Sequence, residues 1–547
     1  MEAINKNKNF WKIIILLAIV LLPTFTYLTI KAKQVNSWDN WWFGSAQTMS
    51  TVRFWAKDGF IKHKLLFITH GYHPQIEFLD KPEFRFLARG TATGGLIGIR
   101  LWYTHYPSGY LIPYGLLAKA GAEQRFWFRM LALGFSFASI IFLFGFVYLI
   151  TNRNKWIPLL AVFYYSTSTT FLAYADSLNN TPVDDFFKWG VLFLSAFAVK
   201  NNEDIAGRFK WIIWILFFLL AFGSYDSTFF IFFWLCALSY IITKKISIKK
   251  YIFWASAPLT AFILQLIQNT WYLGFKDMIL DVWGSFAFRS GEMPVVLSYL
   301  PPIIKNLANG LAATGFLTDL RTRMALPIIV VIIYCLYKRK IFSAKLPQYI
   351  VALTLGGLIF GFVLPVAGIF GYQGRQLAPA LLLIIAIATY EVILMLRRLE
   401  IKKLGIVLII LVLFLWLAHF KATFAYVKQW PNNVVAMEKI QYWQKLNQIT
   451  ETDTIILNIN KKVGSECFLE EFYAGRLILS FDDLDILLQY MNKINSALSD
   501  MGNFLLILPG EYEETAVNFA QEKKYNIKIE NNGNLQNNLI YINAIHD

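Results

Sequence analysis

Cysteine is scarce: 547 residues hold only Cys236, Cys335 and Cys467. Two lie in apolar runs and one in the C-terminal region, so a disulfide framework or a cysteine-rich metal site does not fit. No His/Cys/Glu grouping has zinc-ligand spacing. Charge is scarce too, at 16% of residues, against about 25% in an ordinary soluble domain. That excludes disordered, collagenous and coiled-coil chains. The glycines of the Thr91–Gly95 stretch are not followed by Gly-Lys-Ser/Thr, so a nucleotide loop is not supported. The first apolar run, Phe10 to Ile30, has no small-residue cleavage site and is expected to stay as a span.

What is abundant is apolar surface. Hydrophobic residues make up 56% and aromatics 17%, with 48 Phe, 27 Tyr and 18 Trp. A water-soluble fold cannot hide that much, so the composition predicts a polytopic α-helical membrane protein. Eleven apolar runs are visible: 10–30, 126–150, 156–174, 183–199, 211–223, 228–243, 252–271, 323–337, 347–370, 377–396 and 404–420. The pair 211–223 and 228–243 is short and can also be read as one long helix through Ser224-Tyr225-Asp226-Ser227.

Charge placement decides between these readings. Basic clusters sit at Lys6/Lys8/Lys12, Arg153/Lys155, Lys200/Arg208/Lys210, Lys244/Lys245/Lys249/Lys250, Lys338/Arg339/Lys340 and Arg397/Arg398/Lys402/Lys403. If all six are cytoplasmic, two spans separate each successive pair. Eleven transmembrane helices satisfy this, with the N-terminus inside and the C-terminal region outside. Residues 1–420 then form the transmembrane domain, with a first outer loop over 31–125. Residues 421–547 form a small extracytoplasmic α/β domain. Residues 431–547 carry nine basic and sixteen acidic residues, which sets them apart from the basic remainder. Within them, Thr454–Ile459, Leu477–Phe481, Phe504–Pro509 and Leu539–Ala544 read as strands, and Asp482–Ser499 and Glu511–Lys524 as helices. The basic excess belongs to the membrane part, so nucleic acid is a poor partner.

On this topology the unusual polar residues fall on the outer side: Asp39, His105, Asp176, Asp226, Arg289 and Arg375. Asp39, in Ser37-Trp38-Asp39-Asn40-Trp41-Trp42, reads as a proton acceptor or metal ligand, or as a helix cap beside interfacial tryptophans. His105, in Tyr103-Thr104-His105-Tyr106-Pro107-Ser108-Gly109, reads as a hydrogen-bond donor to a phosphate or as a buried loop histidine. Asp176 reads as a substrate contact or a helix-end carboxylate. Arg289 and Arg375 oppose the basic-inside trend. They read as bidentate phosphate contacts or as snorkelling residues at helix ends.

These patches resemble the GT-C membrane glycosyltransferases, in particular the dolichyl-phosphate-mannose protein mannosyltransferase and aminoarabinose transferase branch. The likeness lies in Asp39 after the first span, Ala46–Gly59 as a juxtamembrane helix, and His105-Tyr106-Pro107-Ser108-Gly109 before a span with Arg129 near its start. It extends to Arg375-Gln376-Leu377-Ala378-Pro379. It covers roughly residues 10–400 in organisation. The sequence departs from the family where Asn40 follows Asp39 and Ser108 follows Pro107. The resemblance implies a GT-C-like fold and an inverting glycosyltransferase in a bacterial inner membrane. The donor sugar would be linked to polyprenyl phosphate, and transfer to a glycan, lipid or protein acceptor would occur at the outer face. In that scheme Asp39 is the general base. His105, Arg289 and Arg375 stabilise the leaving phosphate, and Asp176 holds a sugar hydroxyl or the acceptor. Metal dependence stays open, with a divalent cation possible and no ligand set indicated. Two other classes compete: a lipid or polysaccharide transporter or flippase, which would place charges in mid-span, and an O-antigen-type polymerase or ligase, which would place its large outer loop late.

Overall fold

A computed structural model describes residues 2–36, 38, 42–69, 101–104, 106–152, 154–200, 207–276, 278–279, 282–283, 345–363, 375–398, 435–451, 454–459, 472–481, 484–485, 487–488, 503–509, 512–522, 526–530 and 537–543. Helices α1 (Glu2–Lys33) and α2 (Trp42–Asp58) come first. A two-stranded antiparallel ribbon follows, β1 (Phe67–Thr69) with β2 (Leu101–Tyr103). Next are a 3-10 turn at Gly109–Leu111 and α3 (Ile112–Lys119). The apolar helices are α4 (Arg125–Ile150), α5 (Trp156–Ser166), α6 (Thr169–Tyr174), α7 (Thr181–Lys200), α8 (Lys210–Gly223), α9 (Thr228–Thr243), α10 (Ile248–Leu273), α11 (Leu346–Val363) and α12 (Ala378–Arg398).

Nine of the eleven predicted runs thus coincide with helices, and the runs 323–337 and 404–420 lie outside the described residues. Among the described residues, Ile13–Lys33, Arg125–Ile150 and Ile248–Leu273 are long and apolar enough to cross a membrane. The chain is therefore an integral membrane protein built mostly of helices. One difference from expectation is the run 156–174, which breaks at Thr167. There Ser168 caps a new helix by accepting a hydrogen bond from the Phe171 amide.

The short pair forms two helices. α8 and α9 have 14 and 16 residues, about 21 and 24 Å at 1.5 Å per residue, against a hydrocarbon core of about 30 Å. Ser224 leaves the helix in an extended conformation, and its hydroxyl accepts from the Asp226 amide at 3.1 Å. A hydroxyl that replaces the next helical carbonyl makes such a turn favourable. The turn is buried beneath residues 106–111. A Cβ at Gly109 would collide with the Phe222 carbonyl, so only glycine allows this approach.

Two apolar cores result. The first joins α1 and α4 through α12, with aromatic pairs such as Phe142–Phe193 and Phe146–Trp189 across α4 and α7. Each such pair adds about 0.5–1.5 kcal/mol beyond area burial. The outward faces of α1 and α10 remain apolar, with Ile15, Ile19, Leu22, Ile263 and Ile267 exposed, as a lipid-facing helix requires.

The second core joins α2, β1, α3 and the start of α4 to the C-terminal segment. That segment contains α13 (Met437–Ile449), β3 (Ile455–Ile459), β4 (Leu477–Phe481), β5 (Asn503–Pro509), α14 (Glu513–Glu522), β6 (Asn526–Glu530) and β7 (Asn537–Asn543). The sheet order is β4-β3-β5-β7-β6, parallel across β4, β3 and β5 and antiparallel across β5, β7 and β6. Leu505, Leu506 and Ile507 are consecutive and all buried, as a central strand covered on both faces must be. The four predicted strands are present, whereas α13 and β6 were not anticipated. β6 alternates Asn, Lys and Glu with isoleucine, the pattern of an edge strand with one wet face. Most of the predicted helix 482–499 lies outside the described residues.

Candidate functional site

Asp39, His105 and Arg289 lie outside the described residues, whereas Trp38 before Asp39, and Thr104 and Tyr106 on either side of His105, are described. Asp39 falls between Trp38, which is buried, and α2. The exit of α1 toward it is held by two arginines one turn apart on α4. Arg129 donates to the Lys31 carbonyl at 3.1 Å, beside the Gln34 amide that donates to the same oxygen at 3.3 Å. Arg125 donates to the carbonyls of Gln34 at 2.5 Å and Val35 at 2.9 Å. Asp176, after α6, is fully buried and pairs with both Arg129 and Lys31, the latter at 3.2 Å. Burial pushes its carboxyl up, but Arg129 and Lys31 outweigh this and hold it below the usual carboxylate range. Asp176 thereby clamps the ends of α1 and α4 together.

The second cluster is larger. Arg375, at the entry to α12, is buried with Nη2 at 3.0 Å from Asp184 Oδ2 and at 3.0 Å from Asp226 Oδ2. Its Nη1 lies 3.9 Å from Asp185 Oδ1. Lys188, one turn along α7, pairs with Asp185 at 2.6 Å, and the Tyr165 hydroxyl donates to Asp185 Oδ2 at 2.7 Å. The Asn180 amide donates to Asp226 at 2.9 Å, and the Ser227 hydroxyl donates to Asp184 at 2.5 Å. Three carboxylates face two cations, so the cluster carries one excess negative charge. Asp184 Oδ1 and Arg375 Nε and Nη1 have no hydrogen-bond partner among the described residues. Behind the cluster, a Cβ at Gly357 on α11 would lie 2.7 Å from the Gln376 carbonyl, so α11 presses directly on the turn that carries Arg375.

The segment around His105 meets this cluster. Tyr106 hydrogen-bonds the Ser224 hydroxyl at 2.9 Å and accepts from the Asn180 amide. Asn269 and Gln265 of α10 donate to the Thr104 carbonyl at 2.9 and 3.2 Å. Residues on both sides of His105 are thus anchored. The structure therefore brings Asp226 and Arg375 together and links the His105 segment to them, while Asp176 belongs to a separate ion triad.

Asp184, Asp185 and Lys188 are absent from the candidates that the sequence offers. Asp184 and Asp185 follow Thr181-Pro182, where acidic residues are ordinary at a helix N-terminus. The available signal was Lys188 recurring three and four residues later inside an otherwise apolar run. α7, α8, α9 and α12 carry basic residues in or next to the ends opposite the cluster: Lys200, Lys210, Lys244 and Arg397. Among the described residues, no group of three His, Cys, Asp or Glu side chains is arranged to hold a metal ion.

No protein-family model matches the chain, and neither does any curated protein sequence. Among solved structures, the oligosaccharyltransferase AglB from Archaeoglobus fulgidus, in complex with an inhibitory peptide and a dolichol-phosphate, shares 11% identity. The match covers 98% of this chain and 74% of that one, with a TM-score of 0.49. ArnT from Cupriavidus metallidurans in the apo state shares 8% identity over 98% of both chains, with a TM-score of 0.42. Along nearly its whole length the chain is structurally similar to these two GT-C enzymes.

Proposed function

We propose that the protein is an inverting glycosyltransferase that uses a polyprenyl-phosphate-linked sugar at the outer membrane face. The observation that carries this reading is the buried ion cluster of Arg375, Asp184, Asp185, Asp226 and Lys188 within an apolar helical bundle, linked through Tyr106 to the segment that carries His105. Buried ion networks contribute little net stability, and ionisable groups within a membrane bundle mark sites of function. A lipid-linked donor is met at the bilayer surface, and in this reading the cluster end of the bundle lies there.

In this reading Asp39 takes the proton from the acceptor hydroxyl. The acceptor oxygen attacks the anomeric carbon, the carbon–oxygen bond to phosphate breaks with inversion, and the lipid phosphate departs with the electron pair. Asp184 Oδ1 accepts a sugar hydroxyl, and Asp226 orients Arg375. Arg375 Nε and Nη1 face the leaving phosphate. Because the cluster has an excess negative charge, further cations are needed for the phosphate, and His105 and Arg289 supply them. Asp176 serves by fixing the α1 exit.

Purified protein in liposomes containing radiolabelled polyprenyl-phosphate sugars is expected to move label to an acceptor extract. Label that crosses the bilayer without transfer would favour the transporter reading. Lys188 gives that reading its one support, lying about 10 Å into α7 at 1.5 Å per residue. Sidedness has its own check. Reporter fusions at Lys249 and Lys402 are expected to read cytoplasmic, and one at Asn460 extracytoplasmic. A cytoplasmic reading at Asn460 would remove the common outer face.

A further inference from the structure

The segment between α1 and Asp39 is gripped by the C-terminal region. The Trp38 indole N–H donates to the Tyr473 hydroxyl at 2.9 Å, and that hydroxyl donates to the Val35 carbonyl at 3.0 Å. The Val435 amide donates to the Asn36 carbonyl at 2.9 Å. The Trp38 ring stands edge-on to Phe472 at 5.2 Å and 87°, and the Arg125 guanidinium lies 4.2 Å over its face. Arg125 also donates to Gln34 and Val35. Residues 34, 35, 36 and 38 are therefore tied down one after another, on one side by α4 and on the other by Val435 and Tyr473 of the C-terminal region. Burial holds the Tyr473 hydroxyl above its ordinary value, so it remains a proton donor at neutral pH. Nothing in the membrane bundle requires this arrangement. A loop that only joined α1 to α2 would be stable with its carbonyls in water.

We infer that Tyr473, together with Trp38, is a positioning device through which the C-terminal region sets the place of Asp39 and hence the rate of glycosyl transfer. The inference rests on the glycosyltransferase reading of Asp39. Consecutive Cα atoms are about 3.8 Å apart, so the contacts that hold Trp38 bound where Asp39 can lie. A misplacement of about 1 Å in a reacting group can cost up to about 100-fold in rate. The C-terminal region thus acts on turnover, not on donor capture, which belongs to the Arg375 cluster.

The test uses the full-length protein in liposomes with a polyprenyl-phosphate sugar donor. Tyr473→Phe removes the hydroxyl that bridges Trp38 and Val35 and keeps the ring. Trp38→Phe removes the indole N–H and keeps an aromatic contact. For both, kcat is expected to fall about 10- to 100-fold, with donor KM within about twofold and the acid limb of the pH profile unmoved, because Asp39 itself is intact. Thermal unfolding is followed in parallel. Unchanged kcat in both variants, beside an inactive Asp39→Asn, would overturn the inference and leave the glycosyltransferase reading standing. So would a loss of activity that merely tracks the loss of folded protein. Absence of transfer by the wild-type protein would sink the reading itself, and the inference with it.

Discussion

Asp39→Asn is expected to express and fold as the wild type while turning over its donor about 100-fold more slowly or worse, the scale for losing a general base. In barrier terms that is about 2.7 kcal/mol, at 1.36 kcal/mol per tenfold. The substitution is nearly isosteric. The contacts that hold the preceding segment, Trp38 to Tyr473 and Arg125 to Val35, do not involve the Asp39 side chain. Stability and catalysis are therefore expected to separate at this position, which unfolding curves of Asp39→Asn beside its transfer rate check. Single-turnover transfer measured with a saturating acceptor checks it, because the missing proton acceptor slows chemistry and not donor binding. Near-normal transfer would move the role to another acid. Asp176 has both oxygens engaged by cations, so Asp184, whose Oδ1 has no hydrogen-bond partner among the described residues, would be next.

Arg375 is expected to show the second large effect, in two measurements at once. Its removal as Arg375→Ala leaves Asp184, Asp185 and Asp226 buried with Lys188 as the one remaining cation of the cluster. Breaking a buried ion network from one side costs about 3–5 kcal/mol, read as a lower unfolding temperature in detergent. Arg375→Lys restores the charge but cannot place donors on two carboxylates and a phosphate together, because an ammonium is a point charge where the guanidinium is a planar fork. It is expected to regain stability in part and to remain slow. Loss of a charge-assisted contact to the leaving phosphate costs about 2–4 kcal/mol in the transition state. Donor kinetics on both variants, beside their unfolding curves, separate the two effects. Normal turnover in a folded Arg375→Lys would make Arg375 a structural counter-ion only and would return the phosphate to His105 and Arg289.

The sequence by itself determined that this chain lives in a membrane and where most of its helices lie. Apolar runs of about 20 residues have one low-energy solution in lipid, a helix that satisfies its own backbone. That solution is local, so the runs 126–150, 183–199, 252–271 and 377–396 can be read off directly. Strands such as Leu477–Phe481 are legible for a similar reason, since their apolar runs are bounded by turn residues. Only the tertiary structure decided which ions meet. Asp184, Asp226 and Arg375 come from three segments up to 191 positions apart. Their pairing is fixed by helix lengths and by glycine contacts such as Gly357 against the Gln376 carbonyl. Nothing periodic in the chain encodes these. The same holds for Asp176, which looks like a free outer carboxylate until Lys31 and Arg129 are seen around it. Coulomb attraction between buried charges acts through space and is strong only where packing has excluded water, so its partners belong to the fold and not to the order of residues.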